Sequence, residues 1–360
     1  MIRIRTVSIG LFSAALVSGF ASAHHSITAN FDQDREIEIR GEVVDFNYVS
    51  PHASMVIDGI AYEDGEALSG ATERWEIESS AVKGLAGRGI TGDTFQPGDR
   101  IMVRGSPHRN SDLHRANSSN FLAIDGSALD FTAPLRSEVV VPQVAGARRA
   151  EGRWTPPFQR PSNRSALPLN DAGNQAWLNY DQAQSPANTC EPMSVPVVMN
   201  APSYYLDIRF GDGQVVIFNE AYDIDRTVVF GNDYAPADPN GQWGDVRGRI
   251  DGDALVVESR NYPPSKWGLG AATQINGGGA DVPSSAQKQM TESFSTSEDG
   301  LELYYDYVLT DPMYLTGPHT ARVVLRRVAD DALMVSYDCN VDSARQFSRA
   351  PGESVLSTGE

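Results

Sequence analysis

The architecture of this chain is set near its start by the run Glu36-Ile37-Glu38-Ile39-Arg40-Gly41-Glu42-Val43-Val44-Asp45-Phe46. Polar and apolar residues alternate along it, and this period of two predicts a strand that buries one face. A glycine in the middle of such a run is typical of a bulge or a close approach of two backbones. We therefore predict one long, bent strand at the start of a β-domain.

Four further strands and one helix complete this first domain. The same alternation predicts strands at residues 53–57, 74–78, 100–104 and 121–124, and a short helix with Val82 and Leu85 between the third and the fourth strand. Three strands, a helix and two more strands is the order of the OB-fold, a small five-stranded barrel. We predict an OB-like barrel over residues 24–135.

The second half of the chain reads as a series of hairpins. Glycine-bearing turns such as Gly211-Asp212-Gly213, Asp251-Gly252-Asp253 and Glu298-Asp299-Gly300 separate runs of alternating polarity. A sequence of about seven to nine antiparallel strands predicts a barrel or a sandwich, and closure is favoured because it removes exposed edges. The predicted fold class is therefore all-β, with an antiparallel β-domain over residues 190–345.

The stretch between the two domains has a different composition. Residues 136–189 are rich in proline, asparagine, glutamine and serine, and we predict a linker that Trp154, Phe158 and Trp177 pin down. One short helix, capped by Asn170 or Asp171, is predicted within it. Residues 346–360 are predicted to be a C-terminal tail.

The first 23 residues have the features of a secretory signal. Arg3 and Arg5 precede a short apolar run over residues 7–20, and Ala21-Ser22-Ala23 has the small-x-small form that signal peptidases cut. We predict a periplasmic or secreted protein with no stable membrane insertion, because no apolar run approaches about 18 residues. The net charge of −18 also argues against a nucleic-acid partner.

The chain has two cysteines, Cys190 and Cys339. An exported protein meets an oxidising compartment, so one disulfide between them is expected. The alternative is two buried free thiols.

The distribution of histidines suggests a metal site. Cleavage after Ala23 would leave His24 with a free amine and an imidazole, two nitrogen ligands suited to Cu(II), Ni(II) or Zn(II). His52 falls on the loop between the first two strands, and His108 and His114 on the loop between the last two; in an OB-fold both loops contribute to the ligand-binding face. We predict a copper or zinc ion, copper first, bound by His24 and His52.

Other residues could complete or support that site. The candidates are His25, Glu78, His108 and His114. Each histidine also has a plain structural explanation: His24 and His25 as a polar terminus, His52 as a hydrogen-bonding turn residue, and the last two as part of a polar hairpin loop. The spacing of the histidines does not decide between a metal site and these structural roles, since the zinc signatures His-Glu-x-x-His and Cys-x-x-Cys are absent from the sequence.

Several motifs resemble those of known bacterial proteins. The segments His24-His25-Ser26, Ser50-Pro51-His52-Ala53, Trp75-Glu76-Ile77-Glu78 and Pro97-Gly98-Asp99 are similar to a family of uncharacterised bacterial exported proteins. Its members start with His-His-Ser after their signal and have asparagine where this chain has Ser50. The C-terminal half resembles a second uncharacterised family, through Cys190-Glu191-Pro192 and the run 248–257. Neither resemblance implies an activity.

Two other classes of function stay open at this stage. The C-terminal barrel could hold a small apolar molecule, with incidental histidines. A copper site with an open position could instead support oxidative chemistry, or Asp223 and Asp225 could hydrolyse a glycan if they faced each other across a cleft. The sequence does not predict a substrate or an oligomeric state.

Overall fold

The computed structural model describes residues 30–134, 137–156, 166–180, 186–200, 204–236, 242–271 and 281–346. Two β-domains account for most of them, and helices are few and short. The predicted all-β class is therefore confirmed. The expected signal peptide and most of the expected C-terminal tail lie outside the described residues.

The N-terminal domain is a small barrel. Its elements are β1 (Ile37–Asn47), β2 (Ser54–Glu63), β3 (Glu66–Ala67), β4 (Glu73–Glu78), α1 (Val82–Ala86), β5 (Arg100–Pro107) and β6 (Arg115–Ala123). The strand order is β1-β5-β6-β4-β2-β3, and the additional pairing of β1 with β2 closes the barrel. Only β4 and β6 are parallel among the described pairs of this sheet. This is the predicted OB-like architecture.

Strand β1 closes the barrel because it is long and bent, and because its backbone lies very close to that of β2 at one point. Ile37, Ile39 and Val43 are buried on its inner face, and the register to β2 shifts between Val43 and Asp45. Gly41 pairs with Gly59, and a Cβ at Gly41 would lie 2.3 Å from the carbonyl oxygen of Asp58. The two backbones therefore approach more closely than any side chain at Gly41 would permit.

The C-terminal domain is a nearly closed antiparallel barrel of nine strands. They are β7 (Gly152–Thr155), β8 (Leu206–Gly211), β9 (Gln214–Asn219), β10 (Ile224–Val229), β11 (Asp245–Asp251), β12 (Ala254–Arg260), β15 (Gln289–Thr296), β16 (Glu302–Thr310) and β17 (His319–Arg327). Their order is β10-β9-β8-β7-β17-β16-β15-β12-β11. An isolated bridge between Phe230 and Gly248 joins the two ends of the sheet.

Shorter elements lie around this barrel. A two-stranded sheet pairs β13 (Ser265–Ala271) with β14 (Asp281–Ser284). The helices are α2 (Asp171–Leu178) and α3 (Val341–Gln346). Asn170 caps α2 as expected, because its side chain accepts a hydrogen bond from the backbone nitrogen of Gly173.

The predicted linker needs a correction. Strand β7 falls within residues 136–189, yet it lies inside the barrel sheet between β8 and β17. Trp154 on this strand is completely buried. A segment expected to join the domains therefore supplies one strand of the second domain. This strand hydrogen-bonds to β8 on one side and to β17 on the other.

The two domains are in direct contact. Lys83 of α1 forms an ion pair with Glu220, which follows β9, and its amine also donates to the carbonyl of Leu333. The structure joins Cys190 to Cys339 by a disulfide, with 6.0 Å between their Cα atoms. Ser50, between β1 and β2, forms an isolated parallel bridge with Cys339.

Candidate functional site

His52 and Glu78 meet at one end of the OB barrel. Nδ1 of His52 lies 3.4 Å from Oε1 of Glu78, and 3.2 Å from the carbonyl oxygen of Ser79. The Glu78 side chain is 0% exposed, whereas the His52 side chain is 35% exposed. An imidazole at the surface is thus backed by a carboxylate in the interior.

The local fold explains why these two residues meet. Glu78 is the last residue of β4, and it pairs with Ser54 at the start of β2. His52 lies two residues before Ser54, so the turn into β2 brings its ring back over the end of β4.

The surroundings of Nδ1 select the tautomer of His52. Both neighbouring atoms, the Glu78 carboxylate oxygen and the Ser79 carbonyl oxygen, are hydrogen-bond acceptors. A nitrogen between two acceptors carries the proton, which places the lone pair of a neutral ring on Nε2. Metal-binding histidines in proteins typically show this arrangement, in which the second ring nitrogen donates to a carboxylate or a backbone carbonyl.

Residues 338–343, near the end of the described chain, cover the loop that carries Ser50 and His52. The backbone nitrogen of Ser50 donates to the carbonyl of Asp338, and the backbone nitrogen of Asn340 donates to the carbonyl of Ser50, both at 3.0 Å. Oγ of Ser343 donates to the carbonyl of His52, also at 3.0 Å. The loop with His52 is therefore held by residues about 290 positions later in the chain.

His108 has a structural role within its own loop. Its Nδ1 accepts a hydrogen bond of 3.0 Å from the backbone nitrogen of Asn110, and its ring packs edge-on against Phe31 at 5.5 Å. Burial lowers the pKa of His108, which favours the neutral ring.

His114 has different neighbours from those of His52. Its Nε2 lies 3.5 Å from Oε1 of Glu73, and its ring stacks on Trp75 with 5.2 Å between centroids. Glu73 is at the first residue of β4, whereas Glu78 is at the last. Five residues of extended strand correspond to roughly 16 Å. His114 and His52 therefore lie at opposite ends of β4. Metal bonds of about 2.0–2.6 Å cannot bridge that separation, so the two rings cannot bind one metal ion.

The remaining predicted ligands, His24 and His25, lie outside the described residues. Within the part of the chain that the structure describes, no group of three or more His, Cys, Asp or Glu side chains could hold a metal ion. The described chain therefore contributes a pair at this position, His52 with Glu78, and a metal ion would need further ligands.

The glycan-hydrolysis alternative requires two carboxylates across a cleft, and the structure gives Asp223 and Asp225 other partners. Asp223 accepts hydrogen bonds from Oγ of Ser336 and the backbone nitrogen of Tyr337. Asp225 forms an exposed ion pair with Arg209 on the outside of the barrel. These two carboxylates do not form the expected acid and base pair.

A second polar centre, not predicted from the sequence, lies inside the C-terminal barrel. The guanidinium of Arg226 forms two hydrogen bonds to the carboxylate of Glu292, at 3.0 and 2.6 Å. Ser259 accepts from the same guanidinium, and the Tyr305 hydroxyl donates to Glu292. Burial is the largest single effect on the pKa of Arg226 and disfavours the charged guanidinium. The charge and hydrogen bonds of Glu292, together with the nearby Tyr262 and Tyr305 hydroxyls, outweigh burial, so this pKa is raised.

Lys288 is buried beside this centre. Its amine donates to Oγ of Ser194 at 2.9 Å, to the carbonyl of Gly268 at 2.7 Å and to the carbonyl of Val195, and it lies over the ring of Tyr262. Burial lowers the pKa of Lys288 to about 7. When the amine is protonated, the three accepting oxygens use all three of its protons, so the group ties loops together at one end of the barrel.

One signal in the sequence could have located this centre. Arg226 alternates with Ile224 and Val228, and Glu292 alternates with Met290 and Phe294, on the inward phase of their strands. A charged residue on the apolar phase of a period-two pattern indicates a buried polar partner. The partner itself, 66 residues away, could not be read from the pattern.

Comparison with known proteins gives a family match for the N-terminal part of the chain but no activity. Among the described residues, no helix is both long and apolar enough to cross a membrane. No curated protein matches the chain. Residues 13–117 match a family of unknown function, DUF6152, which agrees with the expected similarity of the N-terminal part to an uncharacterised family.

Proposed function

We propose that this chain is an exported metal-binding protein. In this proposal, cleavage after Ala23 exposes His24, and one Cu(II), or less favourably Zn(II), binds the His24 amine and ring together with Nε2 of His52. The observation that supports it best is the pair of His52 with the fully buried Glu78, because this pair orients an imidazole as metal sites usually do.

The position of the first described residues makes His24 a feasible ligand. Phe31 forms a β-bridge with His108, and the backbone nitrogen of His108 donates to the carbonyl of Arg115. Arg115 in turn is the strand partner of Glu76 on β4. Three strand spacings and two residues along β4 place Phe31 roughly 16 Å from Glu78. Seven extended residues span up to about 25 Å, so a segment from Phe31 back to His24 is long enough to reach His52.

Glu78 has a supporting role in this proposal. The Ser79 carbonyl accepts the Nδ1 proton, and the Glu78 carboxylate, 3.4 Å from the same nitrogen, attracts it electrostatically. Together they fix the ring orientation and raise the basicity of Nε2. The complete burial of Glu78 strengthens this attraction, because little water competes for the carboxylate.

His25 is an alternative ligand. His114 is left out because it lies at the opposite end of β4 from His52, and His108 because its Nδ1 accepts a hydrogen bond within its own loop.

Copper is preferred over zinc for chemical reasons. An N-terminal amine and two imidazoles are nitrogen donors, which suit Cu(II), the divalent metal with the highest affinity in the first transition row. The free amine has a pKa of about 7.7–8.0, and a bound cation lowers it, so metal binding near neutral pH is feasible.

The decisive experiment compares chains with different N-termini. A chain that begins at His24 should bind about one Cu(II) by isothermal titration calorimetry, and a chain with one glycine before His24 should bind much more weakly. His52→Ala should weaken binding strongly, and Glu78→Gln about 10- to 100-fold. His114→Ala is the matched control and should leave the affinity unchanged.

Two results would overturn the proposal. Equal affinity of the chains with and without the added glycine would remove the amine from the site. A loss of binding in His114→Ala but not in His52→Ala would move the site to the other end of β4.

The described packing gives less support to the apolar-ligand alternative. Trp154, Phe294 and Tyr305 are each 0% exposed, so large side chains occupy the barrel interior together with the Arg226–Glu292 ion pair. A groove of about 410 Å³ lies on the outer face instead, lined by Thr291, Val308 and Thr320 among others. Apolar ligands are usually enclosed rather than placed on an outer face.

A further inference from the structure

The disulfide lies next to the loop of the proposed metal site. Cys339 forms an isolated bridge with Ser50, and Ser50 is two residues before His52. The two hydrogen bonds between Ser50 and residues 338 and 340 flank Cys339 on either side. Cys339 thus sits at the centre of the contact between the C-terminal segment and the loop.

A second contact connects the same segment to His52 itself. The side chain of Asn340 accepts from the backbone nitrogen of Ser343 at the start of α3, and Oγ of Ser343 donates to the His52 carbonyl. Ser50 and Ser343 are 2% and 3% exposed, so these bonds are shielded from water. Shielded hydrogen bonds constrain the backbone more strongly than exposed ones.

The disulfide anchors this segment from the other side. Cys190 follows a short 3-10 helix, Pro186–Thr189, which packs against α3. The bond between Cys190 and Cys339 spans 149 residues of sequence and closes a loop around the second domain. Without it, the segment 338–343 would still contact the loop but would have more freedom to leave it.

We infer that the Cys190–Cys339 disulfide is a positioning element of the His52 site: by fixing the segment 338–343 against the loop, it sets the orientation of His52 and hence the metal affinity. This inference rests on the proposed metal site. Since a thiol–disulfide change would alter the affinity without touching a ligand, the site would bind copper best in an oxidising compartment.

The test uses variants rather than a reductant, because thiol reductants themselves bind and reduce copper. Cys190→Ser/Cys339→Ser in a chain that begins at His24 should bind Cu(II) about 10-fold more weakly, as expected for loss of an outer support of a ligand. Ser343→Ala retains the disulfide and should weaken binding in the same direction. Ser336→Ala, which removes a bond to Asp223 just before the segment 338–343, is the matched control.

The outcomes separate this inference from the metal proposal. If wild type binds copper through His52, but the cysteine variant and Ser343→Ala bind as tightly as wild type, the positioning role is excluded and the metal site stands. If wild type does not bind, or His52→Ala binds as well, the metal site itself is excluded. If the cysteine variant does not fold, Ser343→Ala decides alone, and a copper affinity equal to wild type overturns the inference.

A spectroscopic readout distinguishes positioning from general loss of stability. Electron paramagnetic resonance of bound Cu(II) should show an altered nitrogen coordination in Ser343→Ala at saturating copper. The Ser336→Ala spectrum should match that of wild type. Identical spectra in all three chains would contradict a role in orienting His52.

Discussion

Nζ of Lys83, on α1 of the OB barrel, lies 2.6 Å from Oε1 of Glu220, which follows β9 of the second barrel. The side chains are only 8% and 1% exposed. Glu220 also accepts hydrogen bonds from the backbone nitrogens of Tyr205 and Val335. One buried carboxylate therefore joins a cation of the first domain to two loops of the second.

Lys83→Met should destabilise the protein, because it leaves the Glu220 carboxylate buried at the domain contact without its cation. Breaking a buried ion pair by removing one partner typically costs about 3–5 kcal/mol. Urea unfolding followed by circular dichroism measures the loss. Lys266→Met, at an exposed lysine, is the matched control and should change the free energy of unfolding little. Equal effects of the two variants would show that the Lys83–Glu220 ion pair adds no stability.

The ion pair inside the second barrel makes a related prediction with a different signature. Arg226→Met should cost about 3–5 kcal/mol, because the carboxylate of Glu292 then keeps only the Tyr305 hydroxyl as a described partner. The double variant Arg226→Met/Glu292→Leu should recover much of that loss, since neither member of the ion pair is then left without its partner. Equilibrium unfolding of the two single variants and the double variant measures the coupling.

The control for the Arg226 and Glu292 variants is an exposed ion pair on the same barrel. Arg322 and Asp306 form a bidentate ion pair on the outer face, and Arg322→Met should cost about 1 kcal/mol or less. Additive single effects at Arg226 and Glu292 would show that the barrel interior tolerates an unpaired charge, contrary to this account.

The closure of the OB barrel depends on a close backbone approach at Gly41. Gly41→Ala should destabilise the domain by about 1–3 kcal/mol, because its Cβ would collide with the Asp58 carbonyl of the paired strand. Gly70→Ala is the matched control, since nothing lies within 4 Å of a Cβ there. Thermal unfolding of both variants checks the difference. Unchanged stability of Gly41→Ala would mean that β1 and β2 can separate without loss.

Local patterns predicted the parts of the fold that follow from one segment at a time. The alternation in β1 and the glycine within it correctly indicated a long, bent strand, and the order of elements identified the OB-like barrel. Strand β7 escaped prediction because its four residues, Gly152–Thr155, are too few for a period of two to show. Its place in the sheet depends entirely on neighbours more than 50 residues away in sequence.

In the candidate site too, local patterns predict some features, whereas others depend on residues distant in sequence. The loop positions of His52, His108 and His114 follow from the strand order, but their separation depends on strand register, which the sequence leaves open. Glu78 could be proposed as a supporting residue, and the structure places it against His52. The contact of Ser343 with His52 spans 291 residues, and no local pattern indicates it.

The pH dependence of stability should reveal Lys288. Burial lowers its pKa from 10.5 to about 7 in the folded protein. Between these values the unfolded chain holds a proton that the folded chain lacks, so unfolding takes up a proton and the free energy of unfolding rises with pH. Below about pH 7 both states hold the proton, and the contribution of this group stays constant.

Urea unfolding at pH 7 and pH 9 tests this assignment. Relative to Lys288→Met, wild type should gain about 2 kcal/mol of stability between the two pH values, since one pKa unit corresponds to about 1.4 kcal/mol. Lys266→Met should retain the wild-type dependence, because it removes an exposed lysine and leaves Lys288 in place. Parallel pH profiles for wild type and Lys288→Met would show instead that the three accepting oxygens around the amine keep Lys288 charged throughout, because they offset its burial.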